Sequence, residues 1–168
     1  MTTIEQAALH MALSPTAGAR LAGMRSPRAA VGALLDAGHA EDALKLHARL
    51  VAPLYLVAWL CECARRQTLD ATDDRGRELA EAWLASPDDT HRDAALAFAM
   101  DQRCAHLGAW FAATAAWAAT DDTRTQAAHA AIATVTLLSA RAPEGFATAR
   151  DAFVRNALGL LDPFESSP

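Results

Sequence analysis

From Ser26 onward the apolar positions recur at three- and four-residue spacing, the period of a helix buried along one side. Ser26-Pro27 has the form of an N-cap followed by proline at the first helical position, and Gly38 stands as the stop. Ala30, Val31, Leu34 and Leu35 form one face between them. The spacing predicts a second helix over residues 39–51, with Ala43, Leu44, Leu46, His47 and Leu50 inward and Glu41, Asp42 and Lys45 exposed. Pro53 opens a third, to residue 68. A fourth covers 74–85, with Leu79, Ala80, Trp83 and Leu84 inward. Ser86-Pro87-Asp88-Asp89 repeats the cap-and-proline signal and opens a fifth, to residue 103. Further helices follow over 107–120, 123–141 and 145–161, before Pro163. No stretch alternates in the manner of a strand.

The pattern predicts an all-α fold: a compact array of seven or eight short antiparallel helices in one domain over 26–163. Residues 1–25 mix small residues with Pro15, Gly18 and Gly23, and read as a loosely structured arm with room for one short helix. Residues 164–168 read as a tail. Alanine makes up about a quarter of the 168 residues. It has the highest helix propensity and lets backbones approach closely, so alanine-rich packing is expected. No 34-residue period recurs, which argues against a regular solenoid.

Two segments depart from ordinary amphipathicity. Residues 54–64 carry a single charge, Glu62, and such a helix is expected at the centre of the fold. Glu62 precedes Arg66 by four residues, the favourable order for an ion pair. The functional alternative is a polar site of Glu62, Arg65 and Arg66 beside Trp59. The second segment is longer: between Ala105 and Ala140 the only Asp, Glu, Lys or Arg residues are Asp121, Asp122 and Arg124. Two nearly uncharged helices therefore form a hairpin, with Trp110, Thr114 and Trp117 on one face. Each run of roughly 16 residues would span only ~24 Å, short of the ~30 Å hydrocarbon layer, so a membrane hairpin is not expected. Core burial is one reading; a docking surface or homodimer interface is the other.

Charge narrows the partners. Residues 70–122 hold eleven acids against Arg75, Arg77, Arg92 and Arg103. A surface of that sign repels phosphate backbones, which excludes nucleic acid as the expected ligand. The first residues lack the basic start of a secretory signal, and Cys61, Cys63 and Cys104 cannot all pair internally, so reduced thiols and a cytoplasmic location are expected.

Catalytic chemistry is sparse. Cys61 and Cys63 are two apart on a helix and point to nearly opposite sides, and Cys104 with His106 lacks a second ligand pair. His39 and His47 could share a face, but no Glu-x-x-His pattern accompanies them. The pairs Asp73-Asp74, Asp88-Asp89 and Asp121-Asp122 each stand where a helix starts and read as caps. Asp88, Asp89 and Asp93 with His91 and Arg92 form the densest polar cluster, the one place a metal-dependent enzyme could be built. No cofactor fingerprint, phosphate loop or nucleophile elbow is present.

Three blocks occur in order: Ala58-Trp59-Leu60-Cys61-Glu62-Cys63-Ala64-Arg65; then Ala80-Glu81-Ala82-Trp83-Leu84 running into Ser86-Pro87-Asp88-Asp89 and Arg92-Asp93-Ala94-Ala95; then the helix from Gly108-Ala109-Trp110 to Trp117. Together they resemble an uncharacterised all-helical proteobacterial family associated with type VI secretion loci, over about residues 25–163. Thr120-Asp121-Asp122 departs from the small Gly-Ser turn expected there. The resemblance implies a cytoplasmic accessory of the secretion machinery and carries over no catalytic residue. The expectation is a non-enzymatic interaction module, an adaptor or chaperone, binding through Trp110, Thr114, Trp117, Trp59, Glu62, Arg65 and Arg66. An immunity protein covering a toxin, or an enzyme using Asp88, Asp89 and His91, are the alternatives.

Overall fold

The computed structural model describes residues 3–164, which form ten α-helices, two short 3-10 segments and no strand. The helices are α1 (Thr3–His10), α2 (Pro15–Arg20), α3 (Pro27–Asp36), α4 (Ala40–Leu50), α5 (Pro53–Ala64), α6 (Ala71–Ala85), α7 (Asp89–Asp101), α8 (Leu107–Ala118), α9 (Arg124–Arg141) and α10 (Phe146–Arg155). The 3-10 segments are Asp121–Thr123, at the α8–α9 turn, and Leu158–Phe164. The all-α expectation holds. Most of the tail expected over 164–168 lies outside the described residues.

The N-terminal arm is not loose. Ile4, Ala7 and Met11 are buried, and α1 packs on α4. Ser14 caps α2 by accepting from the Ala17 N–H at 3.2 Å, with Pro15 at the first helical position. The Ser14 hydroxyl also donates to Asp42 Oδ2 at 2.7 Å, and its N–H to Oδ1 at 3.1 Å. Asp42, expected in solvent, is therefore buried as the anchor of the arm.

The central helix is α8 rather than α5. It packs on α5, α6, α7 and α9, and of its residues only Trp110 and Trp117 escape full burial. Alanine makes this possible, because small side chains bring four neighbours close to one axis. On α5, Leu54, Tyr55, Ala58 and Glu62 face out, so its uncharged run has a solvent side.

The tightest contact is between α6 and α8. A Cβ built on Gly76 would sit 2.5 Å from Gly108 Cα and closer still to its carbonyl. One built on Gly108 would meet Asp73 Cα and the Thr72 carbonyl oxygen at 2.6 Å. The two backbones touch because neither residue has a side chain.

Asp73, only 2% exposed, locks that crossing. Its Oδ1 accepts from the Gly108 N–H at 2.9 Å and lies 3.1 Å from His106 Nδ1; its Oδ2 accepts from Arg141 Nη1 at 3.0 Å. Burial would raise this carboxyl, but the Gly108 N–H, the Arg141 guanidinium and His106 outweigh it and hold it below the usual carboxylate range. The expectation that Asp73 caps its own helix is corrected: Asp70 does so, accepting from the Asp73 N–H at 2.8 Å. Asp73 instead satisfies a free amide in the first turn of α8.

Candidate functional site

Three regions hold the residues singled out from the sequence. In the first, the Trp110–Trp117 face, the structure divides the set. Thr114 is fully buried and its hydroxyl donates to the Trp110 carbonyl at 2.8 Å, so it cannot touch a partner. Trp110 and Trp117 are half-buried and packed against the core. The hairpin is chiefly core: on α8 only Trp110 and Trp117 are partly accessible, while α9 exposes Gln126, His129, Thr136 and Ala140.

The second region is the C-terminal end of α5. Trp59 is buried, its Nε1–H donating to the Phe153 carbonyl at 3.1 Å. Its ring meets the His47 ring edge-on, with centroids 4.6 Å apart. Glu62 pairs with Arg65, three residues on, at 3.1 Å, rather than with Arg66. Glu62 and Arg66 flank a groove of about 440 Å³ whose other walls include Gln67, Glu144, Phe153 and Asn156. Arg65 lines a different hollow, beside Asp74 and Arg77. Burial pushes the Cys61 thiol up to about 12, with the Glu81 charge adding to it, and Cys63 is raised further. Both are buried free thiols.

His47, against the Trp59 ring, is wholly buried, and neither ring nitrogen has a partner among the described residues. Burial lowers its pKa from 6.5 to about 4. The unfolded chain therefore binds one more proton than the folded chain between those values, and His47 makes stability fall as pH drops through that window. The loss reaches about 3 kcal/mol at the acid end. Substituting His47→Leu should flatten the acid side of a stability-versus-pH curve from urea unfolding; an unchanged slope between pH 6.5 and 4 would contradict the assignment.

The third region lies where four helix ends meet. The N-termini of α5 and α7 and the C-termini of α6 and α8 surround a groove of about 580 Å³. Trp83 lines it together with Leu54, Tyr55 and Pro87, and Asp88, Asp89, Arg92 and Asp121 complete its polar lining. Leu54 and Tyr55, 48% and 43% exposed, put two large apolar side chains side by side on this groove. With two positive and two negative helix ends present, the helix dipoles nearly cancel and the side chains set the sign. Three carboxylates stand against Arg92, which is itself paired with Asp93 at 2.9 Å and Asp89 at 3.7 Å.

At α7 the reading of Asp88-Asp89 as a cap holds for Asp88, and the Ser86-Pro87 cap signal does not. Asp88, not Ser86, is the N-cap, accepting from the His91 N–H at 2.9 Å with the His91 ring 2.7 Å away. Those two contacts with His91, the backbone one first, hold the Asp88 carboxyl below its ordinary range. Among the described residues no group of three or more His, Cys, Asp or Glu side chains is placed to hold a metal ion, so Asp88, Asp89 and His91 do not converge as ligands. Among them, too, no helix is long and apolar enough to cross a membrane.

Sequence reasoning missed Leu54, Tyr55 and Trp83 as parts of one groove. Leu54 and Tyr55 were hidden in an apolar run, and Trp83 showed only as an inward residue. No curated protein and no solved structure matches the chain. Residues 30–161 do match a family: the chain belongs to the family of unknown function DUF6931.

Proposed function

We propose that the chain is a helical protein-interaction module, without catalysis of its own, that holds a partner protein at the groove of Leu54, Tyr55 and Trp83. One observation carries this reading: the exposed Leu54 and Tyr55 lie beside three carboxylates in one concave surface. Apolar anchors inside a polar rim are the usual anatomy of a protein–protein contact. The blocks around Trp59, Trp83 and Trp110 resemble those of a proteobacterial family associated with type VI secretion loci. That resemblance supports a cytoplasmic adaptor or chaperone that holds a component of the machinery before export.

The acidic rim also favours a second reading, an immunity protein that covers a basic toxin cleft. Leu54→Ala/Tyr55→Ala should reduce capture of the native partner at least tenfold in a pull-down from native cells, while the helical circular dichroism stays unchanged. Undiminished capture would remove the groove from the account. Protection of a toxin-producing strain by the gene would favour the immunity reading over the adaptor.

A further inference from the structure

The groove at the four helix ends holds more information than its shape. Trp83 is 3% exposed and its Nε1–H has no acceptor among the described residues. A buried N–H left in this way is unfavourable, and an incoming acceptor would relieve it. Leu54 and Tyr55 offer apolar surface beside it, and Asp88, Asp89 and Asp121 give the lining an excess of negative charge.

The groove beside Trp59, the hollow between α1 and α2 and the one lined by Arg65, Asp74 and Arg77 do not combine these features. The groove beside Trp59 mixes Glu62 and Glu144 with Arg66, so it selects no charge. The hollow between α1 and α2, beside the exposed Leu9, is largely apolar, with nothing to specify an occupant.

We propose that the groove at Trp83 takes a basic segment of another protein. An apolar residue of that segment seats against Leu54 and Tyr55, and a neighbouring Lys or Arg is held by Asp88, Asp89 and Asp121. A carbonyl of the segment accepts from Trp83 Nε1–H after a small movement of the indole. The inference rests on the interaction-module reading and adds the partner's chemistry. Phosphate-bearing partners are disfavoured at the same place, since three carboxylates repel them. An Arg also gains from the exposed aromatic ring of Tyr55.

The test uses the full chain labelled with ¹⁵N, whose four tryptophans give four indole signals. Trp83→Phe identifies one of them. The probes are a synthetic peptide alternating Arg with Leu and its counterpart alternating Glu with Leu. The Trp83 indole signal should move saturably with the Arg peptide and stay still with the Glu peptide. Asp88→Asn/Asp89→Asn/Asp121→Asn should weaken the Arg peptide at least tenfold. Asn at position 88 keeps an oxygen for the cap, so α7 should remain intact.

Equal movement with both peptides would overturn the charge selection yet leave docking in the groove standing. A still Trp83 signal, with the Arg peptide bound elsewhere, would overturn the inference. If the partner captured from cells were also indifferent to Leu54→Ala/Tyr55→Ala, the interaction reading at this groove would fall as well.

Discussion

Gly76→Ala and Gly108→Ala should each destabilise the fold by about 3 kcal/mol or more, lowering the melting temperature by roughly 6–12 °C. In an ordinary helix interior this substitution stabilises by up to ~1 kcal/mol, because glycine has more backbone freedom to lose. Here the sign reverses. The new methyl would overlap backbone atoms of the facing helix, the Gly108 carbonyl for Gly76, and Asp73 Cα with the Thr72 carbonyl oxygen at 2.6 Å for Gly108. Backbone cannot rotate aside as a side chain can, so α6 and α8 must separate. Each of them also packs on α5 and α7, so a shift there disturbs the core on several sides. Gly32 is the internal control. It lies within α3 with nothing within 4 Å of its added Cβ, and Gly32→Ala should raise the melting temperature slightly. Thermal unfolding of the three variants checks the account; a loss below about 1 kcal/mol at either crossing glycine would contradict it.

Asp73→Ala should cost about 2–3 kcal/mol. It strips the Gly108 N–H, His106 and Arg141 of a shared acceptor at a site where Gly108 is buried. Arg141 is partly exposed and recovers water, which keeps the loss below that of a fully buried pair. The pH dependence has a definite sign. The folded carboxyl lies below its ordinary 3.8, so the unfolded chain binds protons first on acidification. Asp73 therefore contributes its full stability above that value and loses it as pH falls further. In the Asp73→Asn variant this acid limb should shrink, whereas the limb from His47, which begins near pH 6.5, should remain. Urea unfolding of both variants from pH 7 to pH 3 separates the two effects; an Asp73→Asn curve parallel to wild type below pH 4 would contradict the role of Asp73.

Local chemistry made much of the fold legible. Ser26-Pro27 caps α3 as the pattern indicates. Asp121-Asp122 does lie in the turn between α8 and α9, but the expectation that this pair caps a helix is corrected: Thr120 and Thr123 hold the cap positions there, without a side-chain cap bond. The arm shows where that reasoning fell short: Ser14-Pro15 carries the same cap-and-proline signal as Ser26-Pro27, but the helix it starts has only six residues. Its periodicity is too short to register, and its stability comes from Asp42, a tertiary partner. Asp73 illustrates a deeper limit. An aspartate near a helix start looks the same whether it caps its own helix or one packed across it. Gly76 did leave a trace, since a glycine inside a helical pattern asks for a packing reason, but the identity of its partner is a fact of tertiary structure. The α8–α9 hairpin posed the reverse difficulty: an absence of charge fits a core and a docking face equally, and the observed burial of Thr114 and most of α8 favours the core.

The proposed partner protein would sit against Leu54 and Tyr55. A photo-reactive phenylalanine analogue at position 55, and separately at the exposed position 9 on α1, would test it in native cells. Position 55 should give one defined adduct, lost when Leu54→Asp is added, and position 9 no adduct of that partner. The same partner captured from position 9 but not from position 55 would contradict it.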